Sequence, residues 1–157
     1  MPALLSVNNM IIKEKNIERT KQLIRNIRES DKPIIVAAQD DDYNRKILEY
    51  GKFDLLLNVE NGLRKDSLRQ IDSGYNHVLA AISAKNKVSL GVDIDKIKHL
   101  DKKGMAIILS RLIQNIKICR KKEVKILAIG YRDKKDALSF MQSLGASSKQ
   151  AKEAISF

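Results

Sequence analysis

Residues 64–93 read RKDSLRQIDSGYNHVLAAISAKNKVSLGVD, and this run decides the fold class. A basic opening, Arg64, Lys65 and Arg69, leads into Asp72-Ser73-Gly74, a turn-and-cap signal. Tyr75, Val78, Leu79 and Ile82 then recur at helical spacing, Asn86-Lys87 breaks the run, and Val88 to Val92 alternates as a strand. A loop, a helix and a strand in that order make the second half of a βαβ unit. The bases fall in the loop, where binding groups collect, and not on the packed elements.

The same alternation extends in both directions. Upstream, Leu4 to Ile12 carries enough aliphatic residues for a first strand, and Ile17, Leu23, Ile24 and Ile27 mark an amphipathic helix over about residues 15–29. Ile34 to Ala38 reads as the next strand. Asp40 to Asp42 caps a helix that turns Ile47 and Leu48 inward and stops at Gly51, before a buried strand from Phe53 to Val59. Downstream, a strand from Val88 to Ile94 is followed by a polar connection, Lys96 to Lys103. A long helix then places Met105, Ile108, Leu109, Leu112, Ile113, Ile116 and Cys119 on one apolar face. Val124 to Ile129 is a strand, Gly130 to Asp133 a turn, and Asp136 to Leu144 a helix ended by Gly145. Ser147-Ser148 caps a short last helix. Strands alternating with helices predict an α/β fold with a mostly parallel sheet. Five or six strands are too few for eight βα units, which need about 250 residues. Residues 1–157 are read as a single domain.

Lys and Arg number 30 against 19 acids, a net charge of +11 with a pI of about 9.8. That balance suits a polyanionic partner. Aromatic residues make up only 4% of the chain, with no Trp, which disfavours stacking of single-stranded bases and favours a folded RNA read through its backbone. No run is apolar for long enough to span a bilayer, and the first residues, MPALLSVNN, lack the charged and apolar regions of a secretion signal. The single Cys119 reads as a small core residue, in keeping with a cytoplasmic location.

The signatures of catalysis are thin. With only His77 and His99, no multi-histidine metal centre can be assembled, and the seven glycines form no phosphate-binding loop. Asp93 and Asp95, at a strand's carboxyl end, could hold a magnesium ion, but turn and cap chemistry is the simpler reading. No catalytic or metal-ligating residue is assigned.

Asp72-Ser73-Gly74, Asn76-His77-Val78-Leu79-Ala80, Ala84-Lys85-Asn86, Val88 and Gly91, led by Arg69, form a gap-free pattern. It resembles archaeal ribonuclease P protein component three, the thirty-kilodalton subunit family. Asp42-Tyr43-Asn44-Arg45, Arg132 to Leu144, and Gln150-Ala151-Lys152 agree in order and spacing, so the resemblance covers roughly residues 33–157. It implies a shortened or incomplete TIM-barrel-like fold. It also implies a non-catalytic subunit that assists a catalytic RNA in removing the 5′ leader of precursor tRNA. The partners implied are the ribonuclease P RNA, precursor tRNA and a small ferredoxin-like protein subunit, the two proteins forming a heterotetramer. No cofactor would be bound by the protein, the magnesium ions belonging to the RNA.

Residues 96–125 carry ten bases against two acids, divided between the two ends of the long helix. In an α/β barrel those ends lie on opposite rims. Lys96, Lys98, Lys102 and Lys103 share the carboxyl rim of the strands with Arg64, Lys65, Arg69 and Arg132, the rim where such folds place their sites. These eight bases, with His77 from the Asn76–Ala80 pentad, are the candidate RNA-binding residues. Arg132 at a helix start is an electrostatically poor place for a cation unless a phosphate or an acidic partner binds there. Arg45 reads as an ion-pair partner of neighbouring acids such as Asp41. Arg120 to Lys122 suit either RNA contact or a helix carboxyl end. Two rival readings are a divalent-metal phosphoesterase working through Asp93 and Asp95, and a generic basic module for structured RNA.

Overall fold

A computed structural model describes residues 11–30, 33–62, 66 and 71–157. Five strands, β1 (Ile11–Ile12), β2 (Ile35–Ala37), β3 (Leu55–Leu57), β4 (Ser89–Asp93) and β5 (Ile126–Ile129), pair in parallel in the order β1-β2-β3-β4-β5. The register runs Ile35 to Leu55, Leu55 to Ser89 and Leu90 to Ile126. Parallel neighbours need a crossover, and helices provide each one. These are α1 (Ile17–Arg28), α2 (Asp41–Tyr50), α3 (His77–Asn86), and the pair α4 (Ile94–Lys98) and α5 (Lys102–Lys122) between β4 and β5. Two further helices, α6 (Lys134–Ser143) and α7 (Ser148–Ala154), follow β5.

Sequential strand order is the order of a barrel wall; a doubly wound sheet reverses direction partway across. Among the described residues β1 pairs with β2 alone and β5 with β4 alone, so the wall stays open. Alternate strand residues serve two cores. Ile35, Leu55, Leu57, Leu127 and Ile129 cluster on the inner face, while Val36, Leu56, Leu90, Val92, Ile126 and Ala128 pack with the helices. Gly91 belongs to the inner set by register. A Cβ there would lie 2.8 Å from Leu55 Cγ and 3.0 Å from Leu57 Cδ1, so glycine lets the two leucines close across β4.

Side-chain amides lock the helices in place. Asn86 Nδ2 donates to the carbonyls of Leu48 (2.6 Å) and Glu49 (3.3 Å), sealing the end of α2 from α3. Gln150 completes a capping box with Ser147 and donates to the Ile116 carbonyl at 3.0 Å, tying α7 to α5. Cys119 is fully buried, and burial pushes its thiol up to about 12, so it is a core residue held neutral.

Several expectations need correction. Residues 4–10 of the expected first strand lie outside the described residues, and Ile11–Ile12 form β1. Ile94 begins α4 and does not extend β4, because the Asp93 side chain accepts from Lys96 N and starts a helix there. The supposed connection from Lys96 to Lys103 is therefore mostly helical: Lys96 and Lys98 are on α4, and Lys102 and Lys103 form the first turn of α5. Val78 is 56% exposed, while Tyr75 is buried ahead of the helix. Arg45 does pair with a neighbouring acid, and that acid is Glu49 (3.1 Å). Arg132 precedes the cap Asp133, and α6 starts at Lys134.

Candidate nucleic-acid interface

Of the helices that begin at the carboxyl rim, α1 and α3 are capped by Asn16 and Asn76, and four, α2, α4, α5 and α6, by an aspartate. Asp40 accepts from Tyr43 N (2.8 Å), Asp93 from Lys96 N (3.2 Å), Asp101 from Gly104 N (2.7 Å), and Asp133 from Lys135 N (2.7 Å) and Asp136 N (3.2 Å). Each carboxylate lies against the positive end of a helix dipole and satisfies orphan backbone donors. The rim bases are left over. Lys96, Lys98, Lys102, Lys103 and Arg132 are all exposed, and none forms an ion pair with a described residue.

Two cavities sort these bases. A groove of about 590 Å³ runs over the ends of the strands, lined among others by Lys13, Asn58, Asn61, Asp93, Lys96 and His99. A smaller apolar pocket of about 270 Å³ lies between α4, α5 and α6, with Ile97, Met105 and Phe140 inside and Lys98 and Arg132 at its edge. Lys98 and Arg132 are thus brought together, as are Lys96 and Lys13. Lys102 and Lys103 line neither cavity. Gly130, at φ +74°, lets the turn after β5 pass close to Asp93: a Cβ there would lie 2.5 Å from Asp93 Oδ1. His77 is the first residue of α3, behind the cap Asn76, whose Oδ1 accepts from Leu79 N at 2.9 Å. His77 is exposed, and its ring is hydrogen-bonded to no described residue. Arg64, Lys65 and Arg69 lie outside the described residues.

Arg111 is one of the ten bases of residues 96–125. In the structure it is only 3% exposed, on the inward face of α5. Its Nη1 donates to the Glu60 carbonyl (2.8 Å) and more weakly to the Gly62 carbonyl (3.4 Å), and its Nε to Asp66 Oδ2 (3.2 Å). Arg111 therefore fastens both described flanks, residues 60–62 and Asp66, of the stretch that holds Arg64 and Lys65. The signal was present, since Arg111 stands three residues after Ile108 and four before Asn115, both on the buried stripe. Glu60 beside it is 1% exposed; burial pushes its carboxyl up to about 7, against the opposing pull of Lys96 and Arg111. Lys13 was also missed, and following β1 was its only cue.

Arg120 belongs to the other rim. Its Nη1 donates to the Gly145 carbonyl at 2.9 Å beyond α6, so the helix-end reading holds for this residue.

No family model matches the chain. Ribonuclease P protein component 3 of Methanosarcina acetivorans is 28% identical over 150 residues, 91% of this chain and 59% of the relative. The protein of the same name from Methanococcus vannielii is 23% identical over 124 residues, 79% of this chain and 51% of that one. The chain thus spans between half and three-fifths of the length of these curated relatives. In fold it matches a chain in a cryo-EM structure of archaeal ribonuclease P with mature tRNA, at a TM-score of 0.74 and 20% identity, over 92% of this chain and 62% of that one. A crystal structure of an uncharacterized protein matches at a TM-score of 0.59 and 6% identity, over 88% of this chain and 35% of the other. No described helix is long and apolar enough to cross a membrane. The chain is thus similar in sequence, over most of its length, to ribonuclease P protein component 3 of archaea, and similar in fold to a chain of an archaeal ribonuclease P.

Proposed function

We propose that this chain is a non-catalytic protein subunit of a ribonuclease P ribonucleoprotein in the cytoplasm, assisting RNA-catalysed removal of the 5′ leader from precursor tRNA. One observation carries the reading. On the carboxyl rim the starts of α2, α4, α5 and α6 are capped by aspartates and those of α1 and α3 by asparagines, while Lys96, Lys98, Lys102, Lys103 and Arg132 stand exposed without an acidic partner among the described residues. Such cations replace condensed counterions on a phosphate backbone, and the released ions supply the affinity. Neutralised RNA helices can then approach one another, which lowers the magnesium needed for the fold that cleaves. His77, exposed at the start of α3, is a further candidate contact.

The chemistry belongs to the RNA, and the magnesium ions with it. Asp93, the best candidate ligand here, has its carboxylate engaged as the cap of α4. A small ferredoxin-like protein subunit is the second partner, in a heterotetramer. Val78 on α3 and Ile107 and Ile113 on α5 are exposed apolar residues on two helices that pack together, and they suit such a contact. The names carried by the relatives and the ribonucleoprotein setting of the structural neighbour support the reading.

The test is cleavage of precursor tRNA by an archaeal ribonuclease P RNA with its other protein subunits, with and without this chain, across a magnesium series. A lower magnesium requirement or a faster turnover with the chain, and no cleavage by the chain alone, is the expected result. Unchanged cleavage would overturn the proposal and favour a generic basic module for structured RNA.

A further inference from the structure

The opposite rim, where the strands begin, carries a second set of cations. Arg28 ends α1, Lys52 follows α2, Lys87 follows α3, and Lys125 follows α5. Each of the four helix-to-strand returns thus contributes one base. All four line a single open groove of about 690 Å³. One acid lines it with them, Asp54, and its Oδ2 accepts from Ile34 N at 2.7 Å.

A cation near a helix carboxyl end complements the helix dipole, which is the bland explanation for any one of these bases. It does not explain their convergence. Lys52 and Lys87 sit at φ 62° and 57°, a region where glycine or asparagine is the unstrained choice. Lys52 Nζ lies 5.4 Å from the centre of the Tyr50 ring, which leaves the ammonium free to accept a further anionic contact. None of the four bases forms an ion pair with a described residue.

We propose that this amino-rim groove is a second binding site for an RNA phosphate backbone, separate from the carboxyl rim, so that the chain bridges two RNA segments. The bridging rests on the reading of the carboxyl rim given above; the groove itself does not. A groove this wide and open, with cations spaced around it, suits a continuous polyanion better than a single small anion.

The experiment uses the full chain and a labelled RNA hairpin of mixed sequence, read by binding stoichiometry and by affinity across a salt series. Three proteins are compared: wild type, a Lys52→Gln/Lys87→Gln/Lys125→Gln variant, and a Lys98→Glu/Arg132→Glu variant. Thermal melting verifies that each is folded. Wild type is expected to take up two hairpins per chain and each variant one, and the groove variant's total salt dependence should fall by about 2 to 3 in log–log slope. A groove variant that still binds two hairpins with the wild-type slope would overturn the inference. So would a groove that binds a poly-glutamate peptide but no hairpin, since its partner would then be an acidic protein. If only the carboxyl-rim variant behaves as wild type, the groove stands and the carboxyl-rim reading falls.

Discussion

The two rims of the sheet hold their charge in different ways. The carboxyl rim is built around buried ions: Arg111 reaches the backbone of residues 60–62 and the Asp66 carboxylate, with the buried Glu60 beside it, while aspartates cap four of the helices. The amino rim has a neutral seal, with Asn86 closing the end of α2 and Gly51 (φ 63°) turning the chain beside it, and its charged ties, Asp54 to Ile34 N and Arg120 to the Gly145 carbonyl, are single contacts to backbone that are not fully buried. Its cations are carried on turns outside that seal. A rim framed by buried ions is stable only while each keeps its partner, whereas a neutral seal depends little on pH or on any single contact. Binding bases on the first surface therefore rest on a sensitive base, and those on the second on a tolerant one.

The largest effect is expected from Arg111→Met. The guanidinium is lost, leaving the Glu60 and Gly62 carbonyls and the Asp66 carboxylate without their donor, at a cost of about 3–5 kcal/mol. A urea titration would show it; a loss below about 1 kcal/mol would mean that the carboxyl rim does not hang on this residue.

Next comes Glu60→Gln, read against pH. The folded-state value of Glu60, about 7, lies above its ordinary 4.5, so the folded protein binds the proton more tightly than the unfolded chain does. Its favourable contribution is complete below about pH 4.5 and is lost as pH rises through about 7. That loss amounts to about 3 kcal/mol. Glu60→Gln should remove this slope and make the protein more stable than wild type at pH 8, with little difference at pH 4.5. Parallel stability curves for the two proteins would mean that Glu60 ionises freely in the fold.

The smallest effect tests the neutral seal. Asn86→Ala frees the Leu48 and Glu49 carbonyls, and each hydrogen bond lost costs about 1 kcal/mol. The loss should not vary between pH 5 and 8, in contrast to that at Glu60. A strong pH dependence would erase the distinction between the rims.

Much of this was legible in the residues. Asp40 as a cap, Gly51 and Gly145 as stops, the break at Asn86-Lys87 and the Ser147 cap all stand where local chemistry put them, because each acts within a few residues of itself. The parallel sheet followed from the alternation of elements. Where reading failed, two local signals competed. Val92-Asp93-Ile94 continues a strand alternation while Asp93 also begins a helix, and the cap prevailed. Arg45 has an acid four residues away on either side, and spacing alone could not choose Glu49 over Asp41. Helix α3 is rich in apolar residues on every side, so periodicity could not place Val78 outward. Arg111 was hidden by its type, since its reason to be buried lies 45 residues away at Asp66. The amino-rim groove was illegible for the same reason. Its four bases come from four separate returns, and only the fold brings them together.

The most direct measurement is the salt dependence of affinity for an archaeal ribonuclease P RNA, comparing wild type with Lys96→Glu/Lys98→Glu/Arg132→Glu. All three side chains are exposed, so the variant should stay folded, which thermal melting verifies. The variant is predicted to bind at least about tenfold more weakly at moderate salt, with a log–log slope shallower by about 2 to 3. Wild-type affinity and slope in a folded variant would contradict the claim that the carboxyl rim is the RNA-binding face.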